Sequence, residues 1–183
     1  MNIPNSLSLM RIIFIPCFVV IFYLPFGWSR LAAAALFALA ALTDWLDGYL
    51  ARRLGQTSKL GAFLDPVADK LMVAVVLVIL LQANPSIWLA IPVAVIIGRE
   101  ITVSALREWM AELGARTQVA VSSLGKLKTV AQMTAIALLI LDGTVDGLPI
   151  YQTGFALLYV ATLLTLWSMV QYLRAAWPKL SRE

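Results

Sequence analysis

The chain has 183 residues, of which 61% are hydrophobic and 13% charged, whereas a soluble domain carries about 25% charged and 45–50% apolar residues. No soluble core of this length can hide such an excess, so the surrounding solvent must be a lipid bilayer. The net charge of +4, from 14 Lys+Arg against 10 Asp+Glu, is too small and too scattered to indicate nucleic acid, but it suits an anionic membrane surface. With no His in the chain, acid–base chemistry falls to carboxylates, lysines or tyrosines. Cys17 stands alone, which excludes a disulfide framework and a thiolate metal site.

Six apolar stretches are each long enough to cross a core roughly 30 Å thick as helices. The first covers 8–25. It is entered through an amphipathic stretch at 2–11 that predicts a short interfacial helix. Arg11 lies inside it, and Pro25-Phe26-Gly27-Trp28 follows where a signal peptide would have a small-residue cleavage site, so the stretch reads as a retained span. The second, 31–52, opens on an Ala-rich run at 32–41, a small-residue surface for helix packing that could also serve a homodimer. The third and fourth, 60–82 and 87–109, are separated by Asn84-Pro85-Ser86. The fifth, 124–141, follows a break near Gly114, and the sixth, 150–173, follows a turn running from Asp142-Gly143 to Pro149. The sequence from Asp142 to Gly147 lacks the spacing and terminal Glu of a calcium loop and reads as a turn. Trp28, Trp167, Tyr172 and Trp177 read as interfacial belt residues. The expected fold is an all-α membrane protein with six transmembrane helices in a single domain, 1–183.

Basic residues set the orientation. Arg52, Arg53 and Lys59 follow the second segment; Arg107, Arg116, Lys126 and Lys128 flank the gap between the fourth and fifth; Arg174, Lys179 and Arg182 follow the sixth. The other loops hold only Arg30 and the acids Asp142 and Asp146. Both termini and the basic loops are therefore expected in the cytoplasm.

Four aspartates dominate the middle of the chain. Asp44 and Asp47 share one face of the second helix with Gly48, Ala51 and Arg52, while Gly61, Asp65 and Asp69 share one face of the third. The short loop between these helices predicts antiparallel neighbours whose acidic faces meet in one cavity near the cytoplasmic side. Asp44 lies eight residues before Arg52, about 12 Å deeper at 1.5 Å per residue. One unpaired carboxylate at such depth costs up to about 2.5–3.5 kcal/mol, and four approach about 10 kcal/mol before their mutual repulsion. Two divalent cations would cancel four charges, and carboxylate oxygens suit hard ions such as Mg²⁺ or Mn²⁺. Gly48 and Ala51 on the same face would let a ligand approach the backbone closely. The competing readings are ion pairing with basic residues such as Arg52, Lys70 or Arg99, and a cation or proton relay in a transporter. Clustering of the acids at one end of the bilayer, without an inverted pair of broken helices, disfavours the relay.

These residues fit the pattern D-x2-D-G-x2-A-R-x8-G-x3-D-x3-D at Asp44, Asp47, Gly48, Ala51, Arg52, Gly61, Asp65 and Asp69. The chain thereby resembles the CDP-alcohol phosphotransferase family, whose six-helix fold would cover essentially all of it. The resemblance implies transfer of a phosphatidyl group from CDP-diacylglycerol to an alcohol, with release of CMP. It implies Asp44, Asp47, Asp65 and Asp69 as ligands of two divalent cations, with Asp69 also the general base. It further implies Asp44, Gly48, Ala51, Arg52 and Gly61 on the CDP-lipid side. Asn2-Ile3-Pro4-Asn5 with Arg11, the stretch from Gly61 to Lys70, Arg99-Glu100 and the run from Ser104 to Trp109 are similar to the bacterial branch that uses glycerol 3-phosphate. Members of that family acting on inositol phosphate or serine are the near alternatives. A phosphorylated acceptor needs a basic pocket, for which Arg99, Arg107, Lys126 and Lys128 lie on the appropriate side. Their plainer reading is positive-inside charge reaching lipid phosphates, least so for Arg99, which sits well inside the fourth segment. The family is also commonly dimeric.

Overall fold

The computed structural model describes residues 3–54, 59–112, 123–145 and 148–180; within these, the side chains of 3–8, 45–54, 59–63, 65, 111–112, 123–126, 144–145, 175–176 and 178–180 lie outside the description. Six helices follow in order: α1 Ile3–Tyr23, α2 Ser29–Leu54, α3 Lys59–Ala83, α4 Ile87–Glu112, α5 Ser123–Leu141 and α6 Ile150–Leu180. Between α5 and α6, β1 (Thr144–Val145) pairs antiparallel with β2 (Leu148–Pro149). The preceding turn is set by Asp142 and Gly143, whose φ angles of 52° and 89° favour Asp and Gly. The break expected near Gly114, and residues 55–58 between α2 and α3, lie outside the described residues.

Every apolar segment forms a helix, and the ends show what hydropathy does and does not mark. α1 is one uninterrupted helix from Ile3, so the amphipathic stretch expected as an interfacial helix is not set off as a separate element. α6 runs to Leu180, beyond the apolar stretch ending at 173. Among the described residues, three helical stretches are long and apolar enough to cross a membrane: Pro66–Ala83, Ile87–Met110 and Ile150–Arg174. Leu9–Tyr23 and Leu127–Leu141 are shorter apolar helices.

α1 packs on both α2 and α3, α2 on α5, α5 on α6, and α4 on α6 and α3. The main core joins Phe18 and Phe22 of α1, Phe37 of α2, Val76, Leu77 and Leu80 of α3, Ile96 of α4, Ile136, Leu139 and Ile140 of α5, and Leu158 of α6. α5 and α6 approach closely at Gly154 of α6, where a Cβ would lie 2.8 Å from the Leu138 Cβ and 3.1 Å from the Ala135 carbonyl oxygen. Small residues permit such contact where lipid supplies no hydrophobic drive. The Ala-rich run of α2 is used in the same way, with Ala33, Ala34 and Ala40 buried in the core.

Pro92 shows how a helix breaker becomes a tie. It lacks the N–H that would bond the carbonyl four residues back. That carbonyl, of Trp88, instead accepts a hydrogen bond of 2.7 Å from the Tyr159 hydroxyl of α6. Such re-pairing is what lets Pro persist inside membrane helices.

Candidate functional site

The acidic cluster is assembled by three helices. Arg11 of α1 is buried, with only 2% of its side chain exposed. Its Nη1 donates to Asp44 Oδ1 of α2 at 2.9 Å and also to Asp69 Oδ1 of α3. Asp44 and Asp69 do converge, as their spacing predicts. Among the described residues each of these helices packs on α1, which supplies the bridge. Beneath this triad lies a cavity of about 20 Å³ floored by Phe37, Met72, Val73 and Met133, enough for about one water or a single ion.

The remaining aspartates, Asp47 and Asp65, fall on α2 and α3, and their side chains lie outside the described residues. The same holds for Gly48, Ala51, Arg52 and Gly61, expected on the CDP-lipid side, and for Lys126 on α5; Arg116 lies outside altogether. No group of three or more His, Cys, Asp or Glu is gathered among the described residues. The donors that are described fit a hard cation: Asp44 and Asp69 turn carboxylate oxygens onto one cationic group, the Arg11 guanidinium. Two carboxylates against one guanidinium leave the triad with a formal charge of −1.

A second polar cluster joins α4, α5 and α6. Glu100 Oε1 accepts from Arg99 Nη1 at 3.0 Å and from Lys128 Nζ at 2.8 Å. Arg99 Nη2 donates to Ser168 Oγ at 3.1 Å, and Arg107 Nη2 to Tyr172 Oη at 2.8 Å. The Arg99 guanidinium also lies over the Tyr172 ring, 5.7 Å from its centroid. Arg99, Lys128 and Ser168 are buried, where an unpaired charge would be costly. Three cations against one carboxylate leave this cluster at +2. Arg99 Nε within it, and Gln132 Oε1 of α5 and Thr165 Oγ1 of α6, are buried without a hydrogen-bond partner among the described residues. Arg99, Arg107 and Lys128 are therefore brought together as the sequence suggests.

Tyr172 corrects one expectation. It is 9% exposed and packed with Val103, Leu106 and Met110, so it belongs to the cationic cluster and not to an interfacial belt. Trp28, Trp167 and Trp177 are exposed, as belt residues are.

The two clusters share α5: Met133 floors the acidic cavity, and Lys128 stands five residues earlier on the same helix, about 7.5 Å along its axis. The sequence reading left Arg11, Glu100 and Ser168 out of the site. A charged residue within an apolar stretch was the available signal for Arg11, because such a charge needs a partner.

The described residues thus place paired carboxylates and a buried cluster of guanidinium and ammonium groups in one helical membrane bundle. The CDP-alcohol phosphatidyltransferase family matches residues 1–167. A protein of Pseudomonas fluorescens named CDP-diacylglycerol–glycerol-3-phosphate 3-phosphatidyltransferase is 56% identical over 184 residues, covering 100% of this chain and 94% of its own length. Proteins of the same name from Escherichia coli (strain K12) and Salmonella typhimurium (strain LT2) are 55% and 54% identical, each over 96% of this chain and 94% of their own length. The chain belongs to the CDP-alcohol phosphatidyltransferase family.

Proposed function

We propose that this chain transfers the phosphatidyl group of CDP-diacylglycerol to glycerol 3-phosphate, giving phosphatidylglycerophosphate and CMP. The observation that carries this reading is the 54–56% identity, over nearly the full length, to relatives named for that reaction. The clusters of opposite charge support it, since the reaction needs both an activated hydroxyl and a held phosphate.

In the proposed chemistry the acceptor hydroxyl oxygen bonds to the phosphorus that carries the diacylglycerol. The anhydride bond to the CMP phosphate breaks, and CMP leaves with the bridging oxygen. Asp69 accepts the hydroxyl proton at a carboxylate oxygen. Arg99, Arg107 and Lys128, joined by Lys126, hold the acceptor phosphate through charge-assisted hydrogen bonds. Gly48, Ala51 and Gly61 give the CDP-lipid close access to the helix backbones, and Arg52 reaches one of its phosphates. Asp44, Asp47, Asp65 and Asp69 would hold two divalent cations, Mg²⁺ or Mn²⁺, whose chemistry is to stabilise negative charge on the diphosphate and leaving group. We read the attack as direct, because the chain lacks the Ser–His pair that would activate a covalent nucleophile.

The accompanying topology is six spans in one domain, 1–183, in a bacterial cytoplasmic membrane, with the start of α1 along the interface. Both termini and the site then face the cytoplasm, following the basic loops. A homodimer is part of the same reading.

The test is Asp69→Asn in reconstituted vesicles. CMP release should fall by about 10²–10⁴-fold, the usual contribution of a general base, while the unfolding transition stays near that of the unaltered protein. Near-normal CMP release by a folded Asp69→Asn protein would remove Asp69 from the chemistry.

A further inference from the structure

We propose that Arg11 is a positioning residue for the acidic site, holding Asp44 and Asp69 together and competing with a divalent cation for their oxygens. The inference rests on the reading of these two aspartates as cation ligands. Arg11 stands on α1, the helix on which both α2 and α3 pack, and its Nη1 reaches an oxygen of each carboxylate. With 2% of its side chain exposed and Phe14, Ile15 and Phe18 following it into the core, it is not a charge stretched out to water. A buried guanidinium so placed does what a cation would do, which is to draw two repelling carboxylates into one site. It also occupies oxygens that an entering cation needs.

The signs follow from charge. With Arg11 present, a cation entering beside Asp44 and Asp69 meets a formal charge of −1; without it, −2. Removing Arg11 therefore tightens cation binding. It also leaves the cation-free protein with two like charges facing each other, and so less stable. A side chain that served packing alone would lower stability without tightening metal binding.

The experiment is Mn²⁺ titration of the full chain in lipid nanodiscs without CDP-lipid, following free Mn²⁺ by its electron paramagnetic resonance signal. Arg11→Gln is expected to bind Mn²⁺ at least about tenfold more tightly than the unaltered protein, the direction set by losing one like-charged neighbour at contact distance. Its thermal transition should fall without metal and recover on adding Mn²⁺. Arg11→Lys, which keeps the charge, should bind Mn²⁺ close to the unaltered affinity, and Arg11→Met, which also removes the charge, serves if the Gln variant does not fold. Unchanged or weaker Mn²⁺ binding in folded Arg11→Gln or Arg11→Met, or tightening by Arg11→Lys as large as by the neutral variant, overturns the role of Arg11 alone. Absence of saturable Mn²⁺ binding in the unaltered protein overturns the acidic cation site, and this inference with it.

Discussion

Glu100 offers the sharpest test of how the cationic cluster is held inside the membrane. Replacing it with Gln preserves its shape but removes the carboxylate that accepts from both Arg99 and Lys128. Those two side chains are 9% and 6% exposed, whereas Glu100 is 24% exposed. Removing one partner of a buried ion pair costs about 3–5 kcal/mol, because the other charge is left without compensation. The partial exposure of Glu100 places the expected loss at the low end, about 3 kcal/mol. A cycle with Lys128→Met isolates the cause. Once the ammonium is gone, deleting the carboxylate leaves one buried cation instead of two, so the double variant should be more stable than the summed single losses by at least about 1 kcal/mol. Reversible unfolding in mixed micelles, followed by circular dichroism, reads all four corners. A Glu100→Gln loss below about 1 kcal/mol, or strict additivity in the cycle, would refute the view that Glu100 compensates the two cations.

Three further changes probe the helix packing and the cationic cluster. Gly154→Val sets new methyl groups against the Leu138 Cβ and the Ala135 carbonyl; it should cost at least about 1–3 kcal/mol in the same unfolding assay, whereas Gly98→Ala, with open space around its Cβ position, should cost nothing. Tyr172→Phe removes the hydroxyl that accepts from Arg107, a bond to a charged group worth about 1.5–3 kcal/mol. Steady-state kinetics should show a raised KM for glycerol 3-phosphate and an unchanged KM for CDP-diacylglycerol.

The helices were legible because lipid imposes one requirement on every span: a run of apolar residues with all backbone groups bonded internally. Their ends were less so. Ile3 and Leu180 lie beyond the apolar stretches, since hydropathy marks where lipid begins and hydrogen bonding decides where a helix stops. Asp44 and Asp69 were legible as a pair because helical spacing and the cost of intramembrane charge point the same way. Arg11 was not, although the same cost applies to it, because its partners lie 33 and 58 residues away and no local pattern records them. Tyr172 looked like a belt residue because aromatic position along a helix predicts depth, whereas the face it occupies, toward Arg99 and Arg107, is fixed only by how α4 meets α6.

The most direct measurement is CMP release by the purified chain in vesicles containing CDP-diacylglycerol, supplied in turn with glycerol 3-phosphate, inositol phosphate, serine or no acceptor. Phosphatidyl transfer to glycerol 3-phosphate predicts CMP and phosphatidylglycerophosphate in equal amounts with that acceptor alone. Release of CMP only with another acceptor, or ion flux across the vesicles without any CMP, would contradict it.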